Sequence, residues 1–277
     1  MITVQLTNGF GNNLFQYNAA RLLADHLGQE VTAIQPWPDY YATPCLQSLG
    51  ISFDSRPRDH HHWARVDEKN YAETFDKKYE NKNIFLNGYF EDYTFYEEHL
   101  SKIKQWYPPV KKRSNRDLVI HFRAGDRLFY KNEFYIKPSV DDYKKAIEKF
   151  DFEQMHIVTD MPKWDYITEK ELKEMRFHHT ATQSQSVPIS ESVDYFNSFV
   201  AAFAIYNPSM ENRSVGGDFN FIRTFDNILF QHGTLGWWGA ALSDASSVGV
   251  YGPWRSFKGD SNRNLSKIPL EGWFQWE

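Results

Sequence analysis

Short apolar runs alternate along the chain with longer stretches in which apolar residues return every three or four positions. Residues 2–6, Ile-Thr-Val-Gln-Leu, read as a buried strand. The Gly- and Asn-rich segment 7–13 turns the chain. A helix is expected over about 13–26, with Phe15, Ala19, Leu22, Leu23 and Leu27 on one face and Gly28 as its stop. Residues 30–34 add a second strand and complete a βαβ unit. Residues 56–67 are polar and His-rich and read as an exposed loop, and 84–90 as a strand running into a loop.

Pro108 and Pro109, followed by the polar basic run 111–115, have the composition of an extended linker. The pattern then restarts. Strands are expected at 117–122, 154–159, 227–230 and 248–251, and helices at 140–150, 169–176, 192–206 and 235–245. Strand and helix in alternation imply α/β architecture. We therefore expect two Rossmann-like domains facing a cleft, residues 1–112 and 113–277.

Composition narrows the function classes. The 277 residues carry a net charge of −5, so no basic excess exists to neutralise a nucleic acid. Cys45 is the single cysteine, which rules out an internal disulfide and fits a reducing compartment. No apolar stretch reaches the roughly 18 residues of a membrane span, and the N-terminal run lacks a basic leader, so the expected location is cytoplasmic. Peripheral contact with a membrane-bound acceptor stays compatible with this. Aromatic residues make up 17% of the chain, which suits a carbohydrate site as well as core packing.

Ligands of open α/β sheets bind beyond the carboxyl ends of the strands, so the residues after each strand of the second half hold the candidate chemistry. The first strand runs into His121, Arg123, Gly125 and Asp126. The planar fork of an arginine matches phosphate oxygens; the competing reading is a structural Arg123–Asp126 ion pair. The second ends on Thr159 and Asp160, a carboxylate suited to ribose hydroxyls or a base edge, or to starting a turn before Pro162. The third runs into His232, Gly233, Thr234 and Leu235. There Gly233 permits a tight turn, Thr234 is the expected N-cap, and the helix N-terminus offers backbone N–H groups to a phosphate. Trp237 and Trp238 fit packing better than sugar contact.

Two other chemistries fit less well. Gly9, Gly11 and Leu14 miss the third glycine of a dinucleotide fingerprint, and the strand at 31–34 ends on no acid. The sequence has no Asp-x-Asp triplet to grip a divalent ion beside a nucleotide sugar. His60, His61 and His62 read as a solvated loop rather than a metal site.

Taken in order, Gly9-Phe10-Gly11-Asn12-Asn13-Leu14-Phe15-Gln16-Tyr17 with Ala20-Arg21, Gly88-Tyr89-Phe90, the His121-x-Arg123-x-Gly125-Asp126 motif, and Gly233 through Ala240 resemble the α-1,2-fucosyltransferase family over about residues 1–255. Val158-Thr159-Asp160 stands where that family carries Phe-Ser-Asp-Asp. Ala124 stands in place of a second arginine, which leaves Arg123 without a neighbouring guanidinium, and Gly233-Thr234-Leu235-Gly236 replaces Ser-Thr-Phe-Ser.

The resemblance implies a GT-B fold, inversion at the anomeric carbon, no metal or other cofactor, and GDP-fucose held by the C-terminal domain with Arg123 on its β-phosphate. Gly11, Asn12, Thr159, Asp160, His232, Gly233, Thr234 and Leu235 join Arg123 as donor-binding candidates. Tyr89, Glu91 and Asp92 are candidates for a glycan acceptor on the N-terminal side. Asp126, His121 and Glu91 are candidate proton acceptors, among which the residues do not choose. Transfer from UDP-xylose or a rhamnose donor is the rival within the class, and a non-catalytic glycan-binding module the rival outside it.

Overall fold

The computed structural model describes residues 1–54, 62–113, 116–132, 135–175, 184–211, 213–231, 233–252 and 269–276. The chain forms two compact units, residues 1–109 with 215–217, and residues 110–214 with 218–277. Each is built on a parallel sheet with helices between its strands, so the α/β class holds. Among the described residues no helix is long and apolar enough to cross a membrane.

In the first unit the strands are β1 (Ile2–Gln5), β2 (Val31–Ile34), β3 (Ala64–Val66) and β4 (Ile84–Leu86), in the order β2-β1-β4-β3. The helices are α1 (Phe10–Leu27), α2 (Thr43–Ser48) and α3 (Tyr93–Lys104). α1 starts three residues before the expected position. Gly9 is its N-cap in extended backbone, which draws Phe10, Gly11 and Asn12 into the first turn, and Gly28 ends it in the left-handed conformation. β3 lies inside the segment expected to be loop. Three residues gain too little apolar pattern to be seen in sequence, and the strand exists because β4 offers it a partner.

The second unit holds β5 (Asp117–Phe122), α4 (Val140–Ile147), β6 (Gln154–Thr159), α5 (Glu169–Glu174), α6 (Ile189–Phe203) and β7 (Ser209–Met210). α7 (Val215–Ile222), whose residues 215–217 count with the first unit, is followed by β8 (Asn227–Phe230), α8 (Thr234–Ala241), β9 (Ser247–Tyr251) and β10 (Phe274–Trp276). Read from β7, the sheet order is β7-β6-β5-β8-β9-β10. That is the doubly wound order, in which chain direction across the sheet reverses between β5 and β8. β5 and β8 are almost wholly buried, as expected of central parallel strands covered on both faces, hence the apolar runs Leu118–Ile120 and Ile228–Phe230. The aromatic core of this unit gathers Phe122, Tyr143, Phe196, Phe199, Phe203 and Trp276.

Several helix ends differ from the sequence expectation. α4 stops at Ile147 rather than 150, α6 begins at Ile189 on Pro188, and α8 ends at Ala241 rather than 245.

Candidate functional site

The reversal point between β5 and β8 is where this fold class opens a crevice, and Arg123, Asp126, Asp160, His121 and the first turn of α8 gather there. Beyond β5, Arg123 lies between two carboxylates. One guanidinium nitrogen is 2.7 Å from Asp126 Oδ1, and the other pairs with Asp160 Oδ2. Asp160 also accepts from the Ala124 N–H at 2.9 Å through its other oxygen. Gly125 sits at φ +36°, and a Cβ there would run into the Asp160 carboxylate, so the turn needs glycine. From the β8 side, Gln231 donates to the Arg123 carbonyl, and its Oε1 accepts from Tyr143 Oη at 2.8 Å. Asp160 and Gln231 thus hold the β5 tip from its two neighbouring strands.

The structural ion pair weighed from sequence is present, and Asp160 enlarges it. A phosphate arriving here competes with two carboxylates for Arg123, whose side chain is 33% exposed. Arg127 corrects the expectation that Arg123 has no neighbouring guanidinium. It lies on the 3₁₀ turn Gly125–Phe129, with Nε 3.7 Å from Asp126 Oδ2, and covers the ring of buried Tyr135 at 4.6 Å. Burial pushes the Tyr135 hydroxyl up to about 12, against the pull of Arg127 and Arg123.

His121 is buried on β5. Its Nδ1 has no hydrogen-bond partner among the described residues. A Cβ on Gly236 would come within 2.6 Å of that nitrogen, and one on Gly233 within 3.6 Å of Cε1, so the ring lies under the first turn of α8. Desolvation, and then the nearby Arg123 charge, lower its pKa to about 3. His121 is therefore neutral at ordinary pH and a weak proton acceptor.

Thr234 is not the N-cap of α8. Gly233 takes that place at φ +137°, outside the usual range of residues with a side chain, with no side-chain cap bond, and Thr234 and Leu235 are the first helical residues. The helix has no acidic residue in its first turn. Trp237 and Trp238 are fully buried, edge to face at 4.8 Å. Thr159 is buried, with its hydroxyl accepting from Met161 N–H at 3.2 Å. His232 lies outside the described residues.

Sequence reasoning passed over Asp218 on α7. Burial raises its carboxyl to about 7; Arg213, 3.9 Å away, opposes the shift, and Asp160 adds to it. No strand tip or motif marks it, because α7 carries a Gly216-Gly217 pair that hides a helix from propensity.

In the first unit the resembling residues largely brace loops. Asn13 donates to the Thr7 carbonyl at 2.8 Å and accepts from Tyr40 Oη at 2.7 Å. Gln16 reaches Thr7 Oγ1 at 2.6 Å and the Gly88 carbonyl at 2.9 Å. Gly11 is buried and Asn12 half-buried in the first turn of α1. Tyr89 accepts from Asn8 Nδ2 at 2.6 Å, while Glu68 takes its backbone N–H. Two further acceptor candidates open the segment that leads into α3. Glu91 is buried, and Asp92 caps α3 by accepting from Phe95 N–H at 3.4 Å.

No protein-family model and no curated protein matches the chain. Among solved structures it is similar to NodZ alpha-1,6-fucosyltransferase soaked with GDP-fucose. The match has a TM-score of 0.38 and 9% identity, over 87% of this chain and 92% of that one.

Proposed function

We propose that the second unit binds the diphosphate of a nucleotide sugar and that the chain is an inverting glycosyltransferase acting without a divalent metal. The observation that supports this best is the gathering of Arg123, Asp160 and the first turn of α8 at the reversal point of the β7-β6-β5-β8-β9-β10 sheet. In this reading Arg123 and the N–H groups at Thr234 and Leu235 hold the diphosphate, doing by fixed dipoles and charge what a metal would do elsewhere. The acceptor hydroxyl attacks the anomeric carbon from the face opposite the diphosphate. The new C–O bond forms as the C–O bond to phosphate breaks, and the diphosphate keeps the electron pair.

The diphosphate takes over the guanidinium that pairs with Asp126, which leaves Asp126 able to accept the hydroxyl proton. His121 is too weak a base for this. The resemblance of the motifs favours L-fucose from GDP-fucose, transferred in α-1,2 linkage to a glycan, over UDP-xylose or a rhamnose donor. The first unit takes the acceptor.

Thermal shifts with GDP, UDP and dTDP test the reading. A nucleotide at a hundredfold over its Kd adds about 2.7 kcal/mol. A chain that none of the three stabilises is not a nucleotide-sugar enzyme, and the glycan-binding module then becomes the better reading. Turnover of the stabilising donor is expected to persist in excess EDTA.

A further inference from the structure

Trp37 and Tyr41 are the most exposed large aromatic side chains of the first unit, at 50% and 59%. They stand in the loop that follows β2, at the carboxyl edge of the parallel sheet. Both pack edge to face on one ring, that of Tyr40, each with a centroid separation of 4.8 Å. Tyr40 is buried, and its hydroxyl is fixed by the Asn8 carbonyl at 2.8 Å and Asn13 Oδ1 at 2.7 Å. The two exposed aromatics therefore share an immobile base. Trp37 is also flanked by Pro36 and Pro38, which restrict the backbone on both sides of it. Little side-chain or loop freedom remains to be lost when something binds.

The neighbouring loops carry stored strain and neutral polar groups. Asn8 (φ +60°), Asp39 (φ +59°) and Phe90 (φ +54°) lie in the left-handed region, one in each loop after β1, β2 and β4. Such residues, Phe90 above all, persist where the surrounding structure over-determines them, and they gather at ligand sites. Tyr41 Oη lies 3.8 Å from where a Cβ on Gly9 would be, so Tyr41 adjoins the Asn8–Tyr89 hydrogen bond, while Trp37 is joined to it through the shared Tyr40 ring. Aromatic surface beside an amide and a phenol is the amphipathic complement of a sugar ring, whose C–H faces are apolar and whose edge is hydroxyl. Trp37, Tyr41, Asn8 and Tyr89 are uncharged, and the charged groups beside them, Asp39 in the same loop and Glu68 on the Tyr89 N–H, are carboxylates, which favours a neutral sugar over an anionic one.

We infer that Trp37 and Tyr41 form a stacking platform for a neutral pyranose of the acceptor glycan, with Asn8 and Tyr89 reading its hydroxyls. The inference rests on the glycosyltransferase reading for the word acceptor, but the platform itself is tested without it.

The test uses the full chain on an array of neutral oligosaccharides, comparing wild type with Trp37→Ala, Tyr41→Ala and Trp37→Phe. At least one saccharide should bind wild type, about tenfold or more weaker to either alanine variant, and to Trp37→Phe within about threefold of wild type. Melting temperatures should fall by no more than a few degrees, since about half of each side chain is exposed and only its packing on Tyr40 is lost. Wild type that binds no neutral saccharide, or alanine variants within about twofold of it, would overturn the platform. So would GDP or UDP affinity falling with saccharide affinity in Trp37→Ala, because the rings would then stack on a base. Saccharide binding that depends on Trp37, in a protein that no nucleotide stabilises, would keep the platform and remove the transferase reading.

Discussion

Asp160 pairs with the Arg123 guanidinium through one carboxylate oxygen and accepts from the backbone N–H of the next residue, Ala124, through the other. A residue at the tip of β6 thereby sets both the charge and the path of the chain at the tip of β5. Arg123 is a component of a charged cluster with Asp126, Asp160 and Arg127, so its chemical role and its structural role are measured together.

Arg123→Ala should lower kcat by about 10²–10³, the usual loss on removing one donor to a developing anion. Arg123→Lys should restore part of it, since an ammonium returns charge without the fork. Because the alanine variant also leaves Asp126 and Asp160 without their guanidinium, its melting temperature should fall. Arg123→Ala with Asp160→Asn should recover stability without recovering rate. Rate and stability recovering together would make Arg123 a structural ion pair only. Initial rates at saturating donor, with thermal melts of each variant, decide between these.

Gly236→Ala should destabilise the second unit by about 1–3 kcal/mol. The added methyl would meet His121 Nδ1 at 2.6 Å and Phe230 Cδ2 at 3.0 Å, and both rings are buried. Gly239→Ala meets the Ile222 side chain at 2.7 Å and should behave similarly. Urea unfolding midpoints check both. A Gly236→Ala protein as stable as wild type would mean that α8 does not press on β5 as described.

Much of this arrangement was legible in the sequence, for a physical reason. Strands buried on both faces are rich in apolar and β-branched residues, so β1, β5, β6, β8 and β9 stand out, and the polar residues at their tips follow from position alone. β7 and β10 have two and three residues and exist only because a neighbouring strand pairs with them. α7 is masked by its glycine pair. At the site, His121, Arg123, Asp126 and Asp160 could be named from the strand ends. The contacts made by Gln231, Arg127 and Asp218 are tertiary and leave no periodic trace.

His121 should make the protein acid-sensitive. Its folded pKa of about 3 lies below the usual value of 6.5, so between those pH values the unfolded chain binds a proton that the folded chain refuses. The associated stability is complete above pH 6.5 and is lost as pH falls toward 3, about 2 kcal/mol of it by pH 5. His121→Gln cannot be protonated. It should lose less stability than wild type between pH 7 and pH 5, whatever its packing costs at pH 7. Parallel stability curves for the two proteins over that range would place the imidazole in solvent.

Asp218 should act with the opposite sign. Its carboxyl is raised from 3.8 to about 7, first by burial and then by Asp160, with Arg213 opposing. The folded chain binds the proton more tightly, so the contribution is complete below pH 3.8 and is lost as pH rises through 7. Asp218→Asn, neutral at every pH, should gain on wild type in thermal midpoint between pH 6 and pH 8, by about 2–4 °C for each kcal/mol removed. The contribution of Asp160 to this shift ties Asp218 to the charge at the β5 and β6 tips. A diphosphate bound there adds negative charge, which favours the protonated carboxyl further. GDP binding to wild type should therefore take up protons near pH 7 and weaken toward pH 8. Titration calorimetry in two buffers of different ionisation enthalpy reads that uptake directly. Asp218→Asn should abolish it and flatten the pH dependence of the affinity. If the variant took up as many protons as wild type, the responsible group would lie elsewhere and Asp218 would be a buried acid with no part in the site.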